Sequence, residues 1–211
     1  MSGTVLFIVQ TFFIEGPAGR IETILAEPKT HPSGIAVVAH PHPLHGGTMD
    51  NKVVYALFNS VLELGYITVK FNFRGVGKSE GVFDNGIGEV EDVIAVTQSI
   101  QSQFMDHAGD LPLLFAGFSF GGGIQIRAAE RLNPRSLVLV SPSLRHVGAP
   151  RIPASVENTL IIQGDKDDIV SLNTILDWAT PQSLPIVIIP GAEHFFHGKL
   201  NVLKRVILDY C

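Results

Sequence analysis

Short apolar runs alternate with helix-like segments along most of this chain of 211 residues. The apolar runs lie at 35–39, 66–71, 113–116, 136–140, 160–162 and 186–189, and the helix-like segments at 53–64, 89–104, 124–131, 174–178 and 200–208. Unbroken β-branched runs separated by helices are typical of a mainly parallel sheet that is covered on both faces. We therefore predict an α/β fold. No linker or repeat divides the chain, which predicts one domain over residues 1–211.

The N-terminal part departs from this alternation. Residues 11–15 and 20–26 have the pattern of two strands, and the segment Gly16-Pro17-Ala18-Gly19 between them is a turn signal. An antiparallel hairpin is therefore expected at one edge of the sheet.

The composition restricts the partners and the compartment. A net charge of −5 gives no electrostatic basis for binding nucleic acid or an anionic membrane, and no apolar stretch is long enough to cross a bilayer. The apolar run at 5–9 has no basic segment before it and no small-residue cleavage site after it, so it is not expected to be a secretion signal. The single cysteine, Cys211, excludes an internal disulfide framework and fits a reducing compartment. We predict a cytoplasmic protein.

The segment 117–121, Gly-Phe-Ser-Phe-Gly, has the spacing G-x-S-x-G and directly follows a predicted strand. A strand that turns at once into a helix places its central residue on a tight bend, with the side chain projecting above the sheet. Small neighbours are needed because the backbone passes close to itself. Such a bend exposes Ser119 as a nucleophile. The alternative is a glycine-rich turn with an ordinary serine, and a base, an acid and an oxyanion donor at the right places distinguish the two.

Candidate acids and bases follow the last two predicted strands, and the carboxyl ends of parallel strands are where catalytic sites lie. Asp165, Asp167 and Asp168 follow the run at 160–162, and His194 and His197 follow the run at 186–189. Any of the three carboxylates is able to orient a histidine, which in turn takes the serine proton. His194 is favoured over His197 because it falls in the loop directly after its strand. The order serine, aspartate, histidine is the order expected for a triad on such a sheet.

These motifs together resemble the α/β-hydrolase superfamily, and within it a small, lidless bacterial group related to the dienelactone hydrolases. The matching segments are GPAGR at 16–20, HPHPLHGGTM at 40–49, FNFRGVGKS at 71–79, GFSFG at 117–121, GDKD at 164–167 and GAEHFF at 191–196. The resemblance covers nearly the whole chain. It implies an α/β-hydrolase fold with a mostly parallel central sheet and an N-terminal antiparallel hairpin. Dienelactone hydrolases use a cysteine nucleophile where this chain has Ser119, so their specific activity is not carried over.

The resemblance also implies roles for individual residues. Superfamily members often carry G-x-x-D-x-x-V after this strand, and Gly164, Asp167 and Val170 match it, which selects Asp167 as the triad acid. One oxyanion donor is expected to be the backbone N–H of Phe120, the residue after the nucleophile. The other is expected from the loop after the strand at 35–39, where the prolines have no N–H to donate. Similar superfamily members place this donor two residues beyond the histidine that ends the strand, at His42.

Two other motifs suggest chemistry that the sequence does not support. His40, His42 and His45 are closely spaced, but the interleaved prolines and the lack of a second ligand cluster argue against a metal site. Gly77-Lys78-Ser79 resembles the end of a phosphate-binding loop, but the first glycine of that motif is replaced by Asn72. We predict no metal and no cofactor, and the segment at 74–79 matches the Arg-Gly-x-Gly-x-Ser loop of the superfamily.

The sequence therefore predicts a serine hydrolase that cleaves small-molecule carboxylic esters or thioesters through an acyl-enzyme on Ser119. Fewer than twenty residues lie between Val140 and Leu160, which is too few for a helical cap domain. A phenylalanine beside the catalytic loops is expected to line an acyl pocket. A peptidase or amidase, and a non-catalytic protein of the same fold that binds a small ligand or partner, are the alternatives. The sequence makes no prediction of the oligomeric state.

Overall fold

A computed structural model of the protein describes residues 8–108 and 111–210. Residues 5–7 and Cys211, on which part of the compartment prediction depends, lie outside the described residues. No helix in the part of the chain that the structure describes is long and apolar enough to span a membrane.

Eight strands and five α-helices follow one another in the predicted order. The strands are β1 (Ile8–Gly16), β2 (Gly19–Glu27), β3 (Gly34–Ala39), β4 (Tyr66–Phe71), β5 (Leu113–Phe118), β6 (Ser136–Val140), β7 (Asn158–Gly164) and β8 (Ile186–Ile189). The helices are α1 (Lys52–Glu63), α2 (Ile87–Ala108), α3 (Phe120–Leu132), α4 (Leu172–Ala179) and α5 (Leu200–Tyr210). Helix α3 begins at Phe120, four residues earlier than its sequence pattern suggests, because the turn at Ser119 leads into it directly.

All strands form one sheet in the order β1-β2-β4-β3-β5-β6-β7-β8. The six strands from β3 to β8 are parallel to one another, whereas β2 pairs in antiparallel fashion with both β1 and β4. The hairpin turn lies between Gly16 and Gly19, as predicted. The mostly parallel sheet with an antiparallel N-terminal pair confirms the expected α/β-hydrolase architecture.

The core consists of two apolar layers, one on each face of the sheet. Along β3, Ile35, Val37 and Ala39 belong to one layer and Ala36 and Val38 to the other. Helices α2, α3 and α4 cover the first layer, and α1 and α5 cover the second. Because both faces of the central strands are buried, their sequences are continuous apolar runs rather than alternating ones.

The direction in which successive strands are added to the sheet reverses between β3 and β5. The connection from β3 passes through α1 to β4 on one side, and the strands after β5 continue on the other side. At such a switch point the loops at the carboxyl ends of the two strands diverge and leave a crevice. The loop after β3 and the turn after β5 meet there, and no cap domain covers them because the 141–157 connection contains only the short 3₁₀ turn Arg145–Val147.

Candidate active site

Ser119 occupies a strained turn between β5 and α3. Its backbone has φ 54° and ψ −119°, a conformation that residues with a side chain rarely adopt. The Ser119 N–H donates to the Val140 carbonyl, and the Ser119 carbonyl accepts from the N–H groups of Gly122 and Gly123. Ser119 precedes the first residue of α3, but its hydroxyl makes no capping hydrogen bond to that helix. The hydroxyl is therefore available to another partner.

The two glycines of the G-x-S-x-G segment are required by close backbone contacts. A Cβ atom on Gly121 would lie 2.5 Å from the Ala39 carbonyl oxygen and 2.6 Å from that of His40. A Cβ atom on Gly117 would lie 2.5 Å from the Gly121 carbonyl oxygen. Backbone atoms cannot move aside as a flexible side chain can. Glycine at these two positions therefore allows the turn to pack closely against the end of β3, as the sequence pattern predicts.

The structure brings Ser119, His194 and Asp167 together in one hydrogen-bonded chain. His194 Nε2 lies 3.0 Å from Ser119 Oγ, and His194 Nδ1 lies 2.8 Å from Asp167 Oδ2. A carboxylate only accepts hydrogen bonds, so Nδ1 carries the proton and Nε2 accepts from the serine hydroxyl. All three residues are buried, with relative exposures of 6%, 2% and 7%.

Four donors surround the Asp167 carboxylate. Oδ1 accepts from the N–H groups of Ile169 and Val170, and Oδ2 accepts from His194 and from Gln163 Nε2 at 3.1 Å. Burial by itself raises the pKa of Asp167, but the hydrogen bonds from His194 and Val170 outweigh it and hold the pKa below its ordinary value. Asp167 is therefore an anion at neutral pH.

The other candidate acids and the other candidate base lie outside this chain of contacts. Asp165 is exposed and accepts from the Gly191 N–H at 2.6 Å, which links the loops after β7 and β8. Asp168 is exposed as well, and Ser171, rather than either aspartate, caps helix α4. His197 lies in a turn before α5 and pairs with Glu193 at 3.0 Å. These contacts distinguish Asp167 from Asp165 and Asp168, and His194 from His197, which the sequence spacing alone left as alternatives.

The loop after β3 is held in place by the buried side chain of His40. His40 Nε2 accepts from the Phe73 N–H, so its proton lies on Nδ1, which donates to the Pro41 carbonyl at 2.6 Å. Complete burial lowers the pKa of His40 to about 4, although the bond to Pro41 opposes this shift. The imidazole is therefore a neutral structural link between this loop and the loop after β4.

The loop after β4 completes this support. Asn72 Oδ1 accepts from the Met49 N–H, and Asn72 Nδ2 donates to the buried carboxylate of Glu22. Arg74 donates through both Nε and an Nη nitrogen to Asp92 on α2. Residues 72–86 contain no helix, in contrast to a phosphate-binding loop, which leads into one. The Arg-Gly-x-Gly-x-Ser segment thus anchors the loops around the site.

The predicted oxyanion donors lie on the two segments that meet at the switch point. Phe120 is the first residue of α3, so its N–H has no acceptor within the helix. The rings of His42 and Phe120 are in contact, with centroids 4.9 Å apart. Both residues line the same cavity as Ser119.

A cavity of about 200 Å³ lies at Ser119. Its apolar lining residues are Phe120, Leu144, Ile169 and Val170, and its polar lining residues besides Ser119 are His42, His45, Ser143, Arg145, His146 and Thr174. The phenylalanines beside the catalytic loops are Phe118, Phe120, Phe195 and Phe196, and of these Phe120 lines the cavity. A larger cavity of about 520 Å³ lies between α1 and α5, but no side chain of the hydrogen-bonded chain lines it.

Three histidines are grouped at one side of the cavity. The His42 ring stacks on the His45 ring at 4.4 Å and contacts the His146 ring edge at 4.6 Å. Burial is the largest effect that lowers the pKa of His42, and repulsion from His146 and from His45 adds to it, which brings the pKa to about 4. His42 Nδ1 also accepts from the Leu44 N–H. Within residues 8–108 and 111–210, no group of three or more His, Cys, Asp or Glu side chains has the arrangement of a metal site.

Comparison with known proteins identifies the family of this chain. Residues 31–157 match the hydrolase family described as serine aminopeptidase, S33, and this stretch includes Ser119. The chain belongs to this family. An uncharacterised protein of Rickettsia prowazekii (strain Madrid E) is 35% identical, with 94% of this chain and 87% of that protein covered.

Solved structures extend the likeness to 95% of this chain. An α/β serine hydrolase homologue from Coxiella burnetii is 38% identical with a TM-score of 0.83, covering 95% of this chain and 96% of that one. A serine hydrolase without a lid from Xanthomonas campestris is 34% identical with a TM-score of 0.82, covering 95% of this chain and 92% of that one. The resemblance to the α/β-hydrolase superfamily is thereby confirmed, and with it the absence of a cap domain.

Sequence reasoning missed Gln163 and the basic side chains at the cavity. Gln163 is a fully buried polar residue at the end of the otherwise apolar strand β7, and that interruption is the signal that marks it. Arg145 and His146 lie in the connection after β6, where nothing in the sequence pattern shows that the chain folds back to Ser119. The Ser143 N–H donates to the Ser119 carbonyl at 2.8 Å, and this hydrogen bond holds the connection after β6 against the serine turn.

Proposed function

We propose that this serine hydrolase cleaves carboxylic esters or thioesters of small to medium acyl groups. The observation that carries the proposal is the contact series from Ser119 Oγ to His194 Nε2 at 3.0 Å and from His194 Nδ1 to Asp167 Oδ2 at 2.8 Å. A serine hydroxyl is a weak nucleophile until an adjacent base takes its proton. An imidazole fixed in the Nδ1–H tautomer by a buried carboxylate is such a base.

In the proposed reaction, Ser119 Oγ forms a bond to the carbonyl carbon as its proton passes to His194 Nε2. The tetrahedral intermediate then expels the alcohol or thiol, which takes the proton from His194, and the acyl group remains on Ser119. A water molecule repeats the sequence: it gives a proton to His194, attacks the acyl carbon and releases the carboxylic acid with Ser119 restored. Asp167 stabilises the imidazolium in both halves.

Backbone N–H groups at the switch point would stabilise the oxyanion of each intermediate. The Phe120 N–H is free of helical pairing because it opens α3, and His42 follows a proline in the loop that His40 anchors. Donors that are preorganised in this way contribute about 3–4 kcal/mol each to lowering the barrier of acyl transfer. The rigid support of both segments favours this role.

The shape of the cavity supports a small ester substrate. A volume of about 200 Å³ lies below the range of about 300–1,000 Å³ that is usual for pockets that hold drug-sized ligands. The cavity is uncovered because no cap domain is present, which admits the water that deacylation consumes. These features favour small esters over long acyl chains.

The family description makes aminopeptidase activity the second candidate. An aminopeptidase has to hold the charged N-terminal amine of its substrate, for which a carboxylate is the usual partner. No aspartate or glutamate is among the described residues that line the cavity, and its one formally charged lining residue is Arg145. This basic lining disfavours a cationic amine and favours the ester reaction. A purely binding role remains the third candidate, but it gives no reason for the complete Ser119–His194–Asp167 contact series.

The test uses a fluorophosphonate probe and p-nitrophenyl esters of graded chain length. We expect the wild type to be labelled and to hydrolyse the shorter esters fastest, and we expect Ser119→Ala and His194→Ala to abolish both. His197→Ala is the matched control and should retain full activity. Labelling that persists in Ser119→Ala would refute the nucleophile, and a folded wild type that is neither labelled nor active would favour the binding protein. Faster cleavage of amino-acid p-nitroanilides than of the esters would favour the aminopeptidase.

A further inference from the structure

The cavity at Ser119 carries an excess of basic side chains although the chain as a whole is acidic. Its lining includes His42, His45, Arg145 and His146, and within the described residues no aspartate or glutamate balances them there. The net charge of the whole chain is −5. Arg145 is the one formally charged residue among the described lining residues, so the cavity carries a positive charge with no carboxylate to balance it, which favours a ligand of the opposite charge.

Arg145 differs from most other arginines in having no carboxylate partner. Arginines with an ion pair to aspartate or glutamate are Arg20, Arg74, Arg127, Arg131 and Arg135. Over the described part of the chain, Arg145 makes no ion pair. Its guanidinium therefore keeps its hydrogen-bond donors free at the edge of the cavity.

The segment that carries Arg145 is held beside the cavity by several contacts. Arg127 donates through Nε to the Val147 carbonyl at 2.9 Å, and the Ala149 N–H donates to the Leu144 carbonyl. The Ser143 N–H is bonded to the Ser119 carbonyl, which joins the start of this segment to the nucleophile. The backbone of the segment that carries Arg145 is thus held beside the serine turn.

Protonation of one imidazole in this group disfavours protonation of its neighbours. Burial lowers the pKa of His146, and the positive charge of Arg145 lowers it further. His42 is neutral for similar reasons. Its Nδ1 accepts from the Leu44 N–H, so its proton lies on Nε2, which is a hydrogen-bond donor. A carboxylate in the cavity would accept hydrogen bonds from these groups.

We propose that Arg145, together with His42 and His146, forms a subsite for a carboxylate on the acyl group of the ester substrate. This inference rests on the proposed ester hydrolysis by Ser119. The acyl group is the part concerned because it stays on Ser119 through both halves of the reaction, whereas the alcohol leaves after the first. The preferred substrate class is therefore the monoesters of short dicarboxylic acids.

The test compares two esters that differ only in the terminal group of a six-carbon acyl chain, p-nitrophenyl hexanoate and p-nitrophenyl monoadipate. The quantity measured is the ratio of their kcat/KM values. We expect the wild type to favour the monoadipate, and Arg145→Gln to lower that ratio by about three- to tenfold, with the greater loss in monoadipate cleavage. Arg145→Lys should retain part of the preference, and added salt should reduce it in the wild type.

Arg151→Gln is the matched control, because Arg151 is also exposed in the connection after β6, makes no ion pair within the described residues and lines a different cavity. It should leave the ratio unchanged. An unchanged ratio in Arg145→Gln, or an equal loss for both esters, would overturn the carboxylate subsite while leaving ester hydrolysis intact. A folded wild type that cleaves neither ester would overturn the proposed function and this inference with it.

Discussion

Gln163 Nε2 donates to Asp167 Oδ2 at 3.1 Å, the same oxygen that accepts from His194. The amide also donates to the Val170 carbonyl at 2.8 Å, so one buried side chain ties the aspartate to the loop that follows it. Gln163 is not among the residues that line the cavity at Ser119, so its effect on the reaction would pass through Asp167.

Replacing Gln163 by leucine tests this positioning role. We expect kcat to fall by about tenfold with little change in KM, because a hydrogen bond to a charged group is lost and the carboxylate is less firmly oriented. Steady-state kinetics on a p-nitrophenyl ester give both constants. Gln125→Leu is the control, since Gln125 is equally buried and its amide likewise donates to strand carbonyls, those of Val37 and Ala116. If both variants lowered kcat alike, the effect would be general destabilisation and the positioning role would be wrong.

Replacing Asp167 by asparagine should reduce kcat by about 10³- to 10⁴-fold, because the amide no longer fixes the Nδ1–H tautomer of His194 or stabilises the imidazolium. The variant should still fold, since it is nearly isosteric. Asp168→Asn is the control, because Asp168 is exposed one residue away, and it should retain wild-type kcat. A large loss in Asp168→Asn with a small one in Asp167→Asn would show that the acid has been misassigned.

Gly121→Ala should destabilise the fold by about 1–3 kcal/mol and remove most activity, because its Cβ would overlap the Ala39 and His40 carbonyls and push the serine turn away from β3. Chemical denaturation and ester hydrolysis measure the two effects. Gly65→Ala separates them, because Gly65 lies far from the serine turn: it has a positive φ, 89°, and its nearest neighbour is the Ser33 side chain at the turn before β4. We expect Gly65→Ala to lose stability and keep its activity. Normal activity in Gly121→Ala would contradict the close packing at this turn.

The stability of the protein should decrease as the pH falls from 6.5 to about 4. The pKa of His40 in the folded protein is about 4, below the ordinary value of 6.5, because burial disfavours the charged ring. In this range the unfolded chain binds a proton at His40 that the folded protein does not, so acidification favours unfolding. At pH 5 the loss from this residue is about 2 kcal/mol.

Urea denaturation at pH 7.5 and pH 5 measures this loss, and the comparison with His40→Gln isolates it from other titrating groups. Glutamine keeps an acceptor for the Phe73 N–H but cannot take up a proton. The variant should therefore lose about 2 kcal/mol less than the wild type between the two pH values. Equal losses in the two proteins would mean that His40 does not titrate in this way.

Several features of the site follow from short stretches of sequence. Apolar runs of strand length set the parallel sheet, and Gly117 and Gly121 on either side of Ser119 set the tight turn, because these depend on local backbone geometry and hydrophobic periodicity. The resemblance of six ordered motifs added Asp167 and His42 as expectations. The spacing alone left Asp165, Asp167 and Asp168 equivalent.

The tertiary structure decided what depends on contacts between distant segments. Asp167 lies next to His194 because β7 and β8 are adjacent, and Gln163 reaches the same carboxylate because its side chain is enclosed at the end of β7. Arg145 lies at the cavity because the connection after β6 is bonded back to Ser119. A linear sequence specifies the reach of each side chain but not which neighbours the folded sheet brings within hydrogen-bond distance. The chain alone thus determined the sheet and the serine turn, and folding selected the aspartate that contacts His194, its buried support and the basic lining of the cavity.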